Sequence, residues 1–404
     1  MDEQIFAKLA ADSQSQIEAA RPIKTHRDLY SQILEPTDYY VGIKGLRGIG
    51  KTTLLLQLAG REKNPLYFSA DRIYLKNDSP YDIVRYATKN GYTSFFIDEI
   101  QSSSDWTSAL KSLHDEGVRK VYFSGSSAIG VGEGADLSRR SVIHHLPPAS
   151  LREFLCIKKG QDYPPLALKD ILQKKKAILP KYAPAYEGMD EYLRYGGMLF
   201  DRNEFDKKME NSIYRLIRSD LASIRAVDGG LESTIFKLFY MIASTPSYEA
   251  NYAKMASVSS MSKNAMISLL SDLQKAGMLN VLNPSATGHA LARKEPKIYF
   301  PIPFSAFFSR QIFQQPPLGR LREEFFVQHA TGCGYVKGAE GRKSPDFAYA
   351  GHTFEVGGMG KDMAQGPQYR VIDGISVEGN RIPLFLFGFL SPARTPAGSD
   401  VGMR

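Results

Sequence analysis

The segment Gly45–Thr52 carries the residue types that bind phosphate groups, and we call it the phosphate loop. It reads GLRGIGKT and matches the pattern G-x-x-x-x-G-K-[ST] at every fixed position. Glycines let successive backbone N–H groups turn inward around phosphate oxygens, and a helix that starts there adds the positive end of its dipole. Lys51 is expected to reach the β- and γ-phosphates of a nucleotide, and the Thr52 hydroxyl is expected to ligate Mg²⁺. The residues predicted to contact the nucleotide are Gly45, Leu46, Arg47, Gly48, Ile49, Gly50, Lys51, Thr52 and Thr53.

Two acids at the end of an apolar segment supply the second half of a site for nucleotide hydrolysis. Ser94–Ile100 reads SFFIDEI, with the density of apolar residues expected of a strand buried on both faces. Asp98 is expected to hold Mg²⁺ through water, and Glu99 is expected to orient and activate the attacking water. An acidic pair at a strand end is also typical of solvated surface. Its place behind a phosphate loop favours the hydrolytic interpretation.

A hydroxyl group follows another apolar segment. Lys120–Ser124 is predicted to be a strand and is followed by a Gly-Ser-Ser turn. The carboxyl ends of parallel strands meet at one edge of a sheet, where a hydroxyl can contact the γ-phosphate or the attacking water. Ser126 is predicted to be this sensor, with Ser124 as the second choice. The alternative of an ordinary strand-to-loop turn stays open.

These residues require a strand, a loop and a helix in that order. Tyr39–Lys44 reads YYVGIK, which is rich in aromatic and β-branched residues and predicts a short strand. Thr53–Ala59 is dominated by leucine and predicts a buried helix directly after the phosphate loop. Together with the two later strands, this order predicts an α/β fold with a parallel sheet.

The composition excludes several classes of protein. The chain has 404 residues, of which 43% are hydrophobic and 23% charged, as in soluble globular proteins of two or three domains. Its start, MDEQ, is acidic where a secretory signal is basic, and its longest apolar run, Ile382–Leu390, is too short to span a bilayer. Two cysteines, Cys156 and Cys333, favour a reducing compartment. We therefore expect a cytoplasmic protein with no membrane partner, while the net charge of +8 leaves nucleic acid open as a partner.

The motifs between residues 39 and 155 resemble those of one group of bacterial and archaeal AAA+ ATPases. The matching segments are GLRGIGKTT at Gly45–Thr53, FFIDEIQ at Phe95–Gln101, SGSSA at Ser124–Ala128 and PPASLREFL at Pro147–Leu155. The resemblance implies ATP and Mg²⁺ as cofactors and a P-loop AAA+ core with a helical lid, followed by a winged helix and a C-terminal restriction-endonuclease-like α/β domain. The implied boundaries are 1–150 for the core with an N-terminal helical segment, 151–228 for the lid, 229–310 for the winged helix and 311–404 for the last domain.

The resemblance also implies an arginine finger, a cation that stabilises charge on the transferring phosphoryl group. The group usually has Gly-Arg ahead of the Pro147 segment, whereas this chain has Leu-Ser followed by Arg139 and Arg140. Either arginine is a candidate, and a finger acting in trans would require a homo-oligomer. The alternative is a pair of exposed arginines on a loop. Arg194 is a candidate second sensor by position.

The segment from residue 229 predicts a helix-turn-helix unit. Helices are expected at Leu231–Ser244, Asn251–Val258 and Lys263–Ala276, with Ser262 as N-cap of the last, and strands at Leu279–Leu282 and Lys297–Phe300. Three helices and a two-stranded wing describe a winged helix. The third helix holds few cations, whereas the wing clusters Arg293, Lys294 and Lys297. DNA binding through these elements and a packing role therefore stay equal alternatives.

The last domain carries a degenerate nuclease pattern. Glu323 lies on a predicted helix, and Asp346 and Glu355 lie on strand-like segments, as in nucleases that hold a divalent metal with two acids. The position of the assisting lysine is occupied by Gly357, and Lys361 is too far along the chain to replace it without an unusual turn. The pattern therefore implies a restriction-endonuclease-like fold more firmly than it implies nuclease activity. Ile382–Leu390 is predicted to be a buried strand of this domain.

Three functions remain open from the sequence. The leading hypothesis is an ATP-binding and ATP-hydrolysing switch that uses Mg²⁺. The first alternative is a DNA-binding factor in which ATP gates the contact, and the second is a Mg²⁺-dependent nuclease. The biological process, the client and the oligomeric state do not follow from the sequence.

Overall fold

We describe the chain from a computed structural model, which covers residues 1–35, 37, 39–126, 139–199, 201–245, 248–285, 295–313, 317–336, 344–358 and 367–391. The chain divides into two compact units at the Pro147–Pro148 bond. The first unit contains the phosphate loop, and the second contains the helical segments and the C-terminal sheet.

In the described part of the first unit, five strands form one parallel sheet. They are β1 (Tyr40–Lys44), β2 (Pro65–Ser69), β3 (Ser94–Asp98), β4 (Lys120–Gly125) and β5 (Ser141–His145). Their order across the sheet is β2-β3-β4-β1-β5, and every pairing is parallel. Each of the five β3 residues is buried, as its apolar sequence predicts for a central strand. The predicted strands at Tyr39–Lys44, Ser94–Ile100 and Lys120–Ser124 are thus confirmed with shifts of one or two residues at their ends.

The helices of the first unit cover this sheet. They are α1 (Glu3–Ala20), α2 (Asp28–Ile33), α3 (Lys51–Ala59), α4 (Pro80–Lys89) and α5 (Trp106–Asp115). The start of α4 is encoded locally, because Ser79 and Asp82 form a reciprocal capping box and proline occupies the first turn. The apolar faces of α1, α4 and α5 pack with the strand residues in one core, so the sheet is a rigid support for the loops at its edge.

The strand order decides which loops meet. Strand β4 pairs with β1 on one side and with β3 on the other. Because all strands run parallel, the phosphate loop after β1, the acids at the end of β3 and the serines at the end of β4 lie at one edge of the sheet.

The second unit begins with short helices. They are α6 (Leu151–Lys159), α7 (Leu168–Gln173), α8 (Lys175–Tyr182), α9 (Met189–Tyr195) and α10 (Phe205–Arg215), with 3₁₀ segments at Ala183–Gly188, Arg202–Glu204 and Leu221–Ser223 and a π-helical turn at Leu216–Asp220. Helix α6 has a capping box between Ser150 and Glu153 and ends at Gly160, whose φ is 66°. The helical character expected for residues 151–228 is therefore confirmed.

Three helices and a small sheet follow. The helices are α11 (Gly229–Ala243), α12 (Tyr252–Val258) and α13 (Lys263–Lys275), and the strands are β6 (Tyr248–Glu249), β7 (Asn280–Leu282) and β8 (Lys297–Tyr299). The three strands pair antiparallel in the order β6-β8-β7. Ser262 caps α13 by accepting a hydrogen bond from the backbone N–H of Ala265, as predicted.

The rest of the described chain forms a mixed sheet with two helices. These elements are α14 (Ile302–Ile312), α15 (Leu318–His329), β9 (Gly334–Tyr335), β10 (Phe347–Tyr349), β11 (His352–Gly357), β12 (Tyr369–Ile372) and β13 (Arg381–Pro383). The strand order is β13-β12-β11-β10-β9, antiparallel from β9 to β11 and parallel beyond. The predicted strand at Ile382–Leu390 is wrong over most of its length, because β13 ends at Pro383 and Leu384–Phe389 is a 3₁₀ helix. A fully buried apolar run has no periodicity that separates a strand from a helix.

A buried ion pair joins several elements of the second unit. Arg320 and Glu324 on α15 lie 2.8 Å apart with 1% and 0% of their side chains exposed. Arg320 also donates to the carbonyl oxygens of Ile242 in the last turn of α11 and of Thr245 beyond it. Glu324 accepts from the backbone N–H of Phe300 after β8. Burial raises the pKa of Glu324, and the adjacent guanidinium opposes that effect.

Among the residues described, every helix is too short or too polar to span a lipid bilayer.

Candidate active site

The phosphate loop depends on its glycines. Gly48 and Gly50 have φ values of 80° and 97°, which favour glycine over residues with a Cβ atom. A Cβ atom on Gly45 would lie 2.4 Å from the carbonyl oxygen of Leu146, so the loop packs against the end of β5 through that glycine. Helix α3 begins at Lys51 without a side-chain cap, which leaves the N–H groups of its first turn for a ligand.

Lys51 lies across the loop that it belongs to. Its side chain is buried, and Nζ donates to the carbonyl oxygens of Gly45 and Leu46, each at 2.9 Å. The ammonium group is thereby held over the backbone that would surround a phosphate. Its predicted contact with the β- and γ-phosphates stays a prediction.

Asp98 accepts hydrogen bonds from four donors at this edge of the sheet. It is 3% exposed. Its Oδ2 accepts from Thr52 Oγ1 at 2.6 Å and from the Tyr67 hydroxyl at 3.0 Å. Its Oδ1 accepts from the Ser124 hydroxyl and, at 3.1 Å, from the backbone N–H of Glu99. Four donors from α3, β2, β4 and the chain after β3 therefore surround one carboxylate.

Glu99 points away from this cluster towards the phosphate loop. Its backbone is left-handed, with φ at 49°, an unusual conformation for a residue with a Cβ atom. Gln101 Nε2 donates to Glu99 Oε2 at 2.6 Å, and Arg47 Nη1 lies 3.5 Å from the same oxygen. The two acids that adjoin in sequence therefore have different environments, Asp98 among hydroxyls and Glu99 beside a cation.

The donor set of Thr52 and Asp98 fits Mg²⁺. The Thr52 hydroxyl and the Asp98 carboxylate are hard oxygen ligands in direct contact, and Mg²⁺ is commonly bound by one or two such groups together with phosphate oxygens and water. When bound, the ion would neutralise charge on the β- and γ-phosphates. Thr52 and Asp98 are the residues that would hold it.

Two residues that contribute to this site were missed from the sequence. Tyr67 lies in the apolar strand β2, where a tyrosine is usually interpreted as core, although a buried hydroxyl needs a partner. Arg27, before α2, is 5% exposed and donates to the carbonyl oxygens of Ile49 at 2.6 Å and Pro147 at 2.7 Å. Arg27 thereby links the phosphate loop to Pro147, which follows β5. No local sequence motif predicts this contact.

The structure distinguishes the two serines after β4. Ser124, the second choice from the sequence, contacts Asp98. Ser126 is buried just beyond the end of β4. Its predicted contact with the γ-phosphate or the attacking water stays a prediction.

The candidate finger arginines lie at the opposite edge of the sheet. The backbone carbonyl of Arg140 accepts from the N–H of Tyr40 at the start of β1, and its guanidinium pairs with Asp115 at 3.0 Å. Arg139, one residue earlier, is exposed. Since β1 and β5 run parallel, a five-residue strand of about 16 Å separates this edge from the phosphate loop. Neither arginine can therefore contact phosphates bound by its own chain, and only a role in trans stays a prediction.

The remaining candidate residues lie in the second unit. Glu323 accepts from the Tyr299 hydroxyl at 2.8 Å, and Asp346 accepts from the backbone N–H of Val356 at 2.8 Å. Asp346 directly precedes β10, whose first residue, Phe347, pairs with Phe354, the neighbour of Glu355 on β11. Within the described ranges, however, His, Cys, Asp and Glu side chains form no group of three that could hold a metal ion.

The other residues predicted from the sequence to have a functional role form no site in the part of the chain that the structure describes. Arg194 is exposed and pairs with Asp190 on its own helix at 2.9 Å, so its role as a second sensor stays a prediction. Arg293, Lys294 and Lys361 lie outside the described residues.

Comparison with known proteins gives one family match. Residues 37–155 match the family described as an AAA domain. Over 306 residues the chain is 29% identical to the uncharacterized protein MJ1637 of Methanocaldococcus jannaschii, a match that covers 68% of this chain and 65% of that protein. The chain thus spans slightly less than two thirds of its curated relative.

Two solved structures resemble this chain at a low level. A STAND ATPase with a tetratricopeptide repeat sensor from Pyrococcus horikoshii is 14% identical with a TM-score of 0.26, covering 76% of this chain and 45% of that one. AMPPCP-bound DnaA from Aquifex aeolicus is 15% identical with a TM-score of 0.24, covering 61% and 86%. Scores this low carry no argument about fold or function. The family match does: it spans the phosphate loop, Asp98 and Ser124, and it supports a nucleotide-binding function of the ATPase type.

Proposed function

We propose that this chain is a Mg²⁺-dependent ATPase that works as a nucleotide-driven switch. The observation that carries the proposal is the contact between Thr52 and Asp98 at the edge where the phosphate loop and Glu99 also lie. A phosphate cradle, two oxygen ligands for a metal and a carboxylate for water activation are the parts that hydrolysis of a phosphoanhydride needs.

Each residue has a defined task in this proposal. The backbone N–H groups of the loop and Lys51 bind the β- and γ-phosphates and stabilise charge on them. Thr52 and Asp98 hold Mg²⁺. Glu99 accepts a proton from the attacking water and orients it for in-line attack. Ser126 is proposed to contact the γ-phosphate.

Two substitutions separate binding from hydrolysis. Lys51→Ala is expected to abolish hydrolysis and to weaken ATP binding, whereas Glu99→Gln is expected to keep ATP binding and to lose turnover by a factor of about 100 or more. Lys63→Ala, an exposed lysine before β2, is the matched control. Phosphate release and equilibrium binding of ATP are measured for each. Unchanged turnover in Lys51→Ala would refute the site.

A second candidate function is DNA binding that is gated by ATP. It is favoured by α11–α13 and the β6-β8-β7 sheet, the set of elements expected of a winged helix. Its test is DNA affinity at several salt concentrations with and without ATP, together with the ATPase rate with and without DNA. Binding that weakens with salt and depends on nucleotide supports it, and its absence at low salt rules it out.

We also propose a restriction-endonuclease-like fold, without nuclease activity, for the last domain. A helix followed by a mixed sheet supports the fold. The glycine at the lysine position and the separate contacts of Glu323 argue against cleavage. Purified protein is expected to leave DNA and RNA intact in the presence of Mg²⁺.

A further inference from the structure

Tyr67 is buried beside the proposed metal site but belongs to no recognised motif. It lies on β2, next to β3 in the sheet, and its register partner is Phe96. Only 2% of the residue is exposed. Its hydroxyl donates to Asp98 Oδ2 at 3.0 Å, the same oxygen that accepts from Thr52 at 2.6 Å.

The four donors around Asp98 will not all stay in place when a metal binds. The Thr52 oxygen is the atom expected to ligate Mg²⁺, so its hydroxyl must give up its orientation towards Asp98. The Ser124 hydroxyl and the backbone N–H of Glu99 act on the other carboxylate oxygen, Oδ1. Among the donors in the part of the chain that the structure describes, Tyr67 is then the one that still orients Oδ2.

We propose that Tyr67 is a positioning residue that fixes the Asp98 carboxylate for Mg²⁺ binding. The inference rests on the proposed ATPase function. Tyr67 acts through Asp98, since its hydroxyl is engaged with that carboxylate. Partners of this kind orient ligating carboxylates, and their loss typically costs about 10- to 100-fold in metal affinity.

The tyrosine is suited to this role because a phenol hydroxyl, with an ordinary pKa of about 10, keeps its proton at physiological pH. Tyr67 can therefore donate to Asp98 Oδ2. A hydrogen-bond donor also withdraws negative charge from Asp98 Oδ2, and this effect by itself would weaken metal binding. Removing the donor therefore raises the Mg²⁺ requirement if orientation dominates and lowers it if charge withdrawal dominates.

Tyr67→Phe removes the donor and keeps the ring. Its matched control is Tyr40→Phe, which removes another buried hydroxyl of the same sheet, one that donates to the Val118 carbonyl at 2.9 Å near the opposite edge. For the wild-type chain and both variants, affinity for a non-hydrolysable ATP analogue is measured by calorimetry in EDTA and across a Mg²⁺ titration. The readout is the Mg²⁺ concentration that gives half of the metal-dependent gain in affinity.

We expect Tyr67→Phe to raise this Mg²⁺ concentration roughly tenfold and to leave affinity in EDTA unchanged. Tyr40→Phe should change neither quantity. An unchanged or lower Mg²⁺ requirement in Tyr67→Phe would overturn the inference, and so would an equal loss of affinity with and without Mg²⁺, which is the result expected of general damage to the fold. If the wild-type chain binds the analogue without any Mg²⁺ effect, the proposed function itself fails, and that is seen before any variant is compared.

Discussion

Arg47 Nη1 lies 3.5 Å from Glu99 Oε2, so a side chain of the phosphate loop contacts the acid that we propose as the base of ATP hydrolysis. Gln101 donates to the same oxygen. The contact couples the loop that binds the nucleotide to the residue that acts on water.

Arg47→Ala is expected to reduce turnover more than binding. Without the guanidinium, Glu99 loses the cation that orients it, and misplacement of a catalytic group costs about 10- to 100-fold in rate. Steady-state kinetics should show a fall in kcat of roughly tenfold or more with a smaller rise in KM. Arg119→Ala, an exposed arginine before β4, is the control. A change confined to KM would mean that Arg47 serves only to bind phosphate.

Arg27→Ala is expected to weaken nucleotide binding whether or not Mg²⁺ is present. The substitution leaves the Ile49 and Pro147 carbonyl oxygens without the donors that hold them, and the loop loses its fixed geometry. Calorimetry in EDTA and in Mg²⁺ should show similar losses, about tenfold each. This pattern differs from the purely Mg²⁺-dependent loss expected of Tyr67→Phe. Full affinity in EDTA would contradict the role given to Arg27.

Breaking the Arg320–Glu324 pair is expected to destabilise the second unit strongly. Glu324→Ala leaves a buried guanidinium without its anion, which costs about 3–5 kcal/mol of unfolding free energy. Arg218→Ala, which breaks an exposed pair with Glu232, should change little. Urea unfolding followed by circular dichroism measures both variants. Replacing both partners by apolar residues should recover much of the loss, and failure to do so would point to the backbone hydrogen bonds of Arg320 instead.

The stability of the second unit should fall as the pH is lowered from 7 to 5. Burial lowers the pKa of His329 to about 4. Its Nδ1 lies 2.8 Å from the Phe325 carbonyl, and its Nε2 lies 3.3 Å from the N–H of Leu151, contacts that suit the neutral ring. The unfolded chain takes up a proton near pH 6.5 and the folded chain does not, so protons favour unfolding by about 2 kcal/mol over this interval.

The variant His329→Gln tests this prediction. It should remove most of the pH dependence that His329 contributes, measured by hydrogen exchange of second-unit amides at the two pH values. An identical pH dependence in wild type and His329→Gln would show that other groups control acid stability.

Local sequence patterns were sufficient for much of the fold. The phosphate loop is recognisable because its chemistry depends on residues that are adjacent in the chain, and the flanking strand and helix follow from local composition. Ser262 could be predicted as a helix cap because a cap acts on N–H groups two or three residues away. Helices α11–α13 were found for the same reason, since their apolar periodicity is local.

The contacts that complete the site were decided by the tertiary structure. Strand order, which no single segment encodes, sets β2 and β4 on either side of β3 and so brings Tyr67 and Ser124 to Asp98. The parallel direction of β5, paired with β1, also places Arg140 at the far edge, although the sequence brings it close behind the β4 serines. The Leu384–Phe389 helix could not be predicted, because a run that is buried on all sides has no polar face to reveal its period. The sequence by itself therefore determined which groups we propose to bind phosphate and metal. Packing of distant segments decided which side chains hold those groups in place, because hydrogen bonds between strands join residues that the chain keeps far apart.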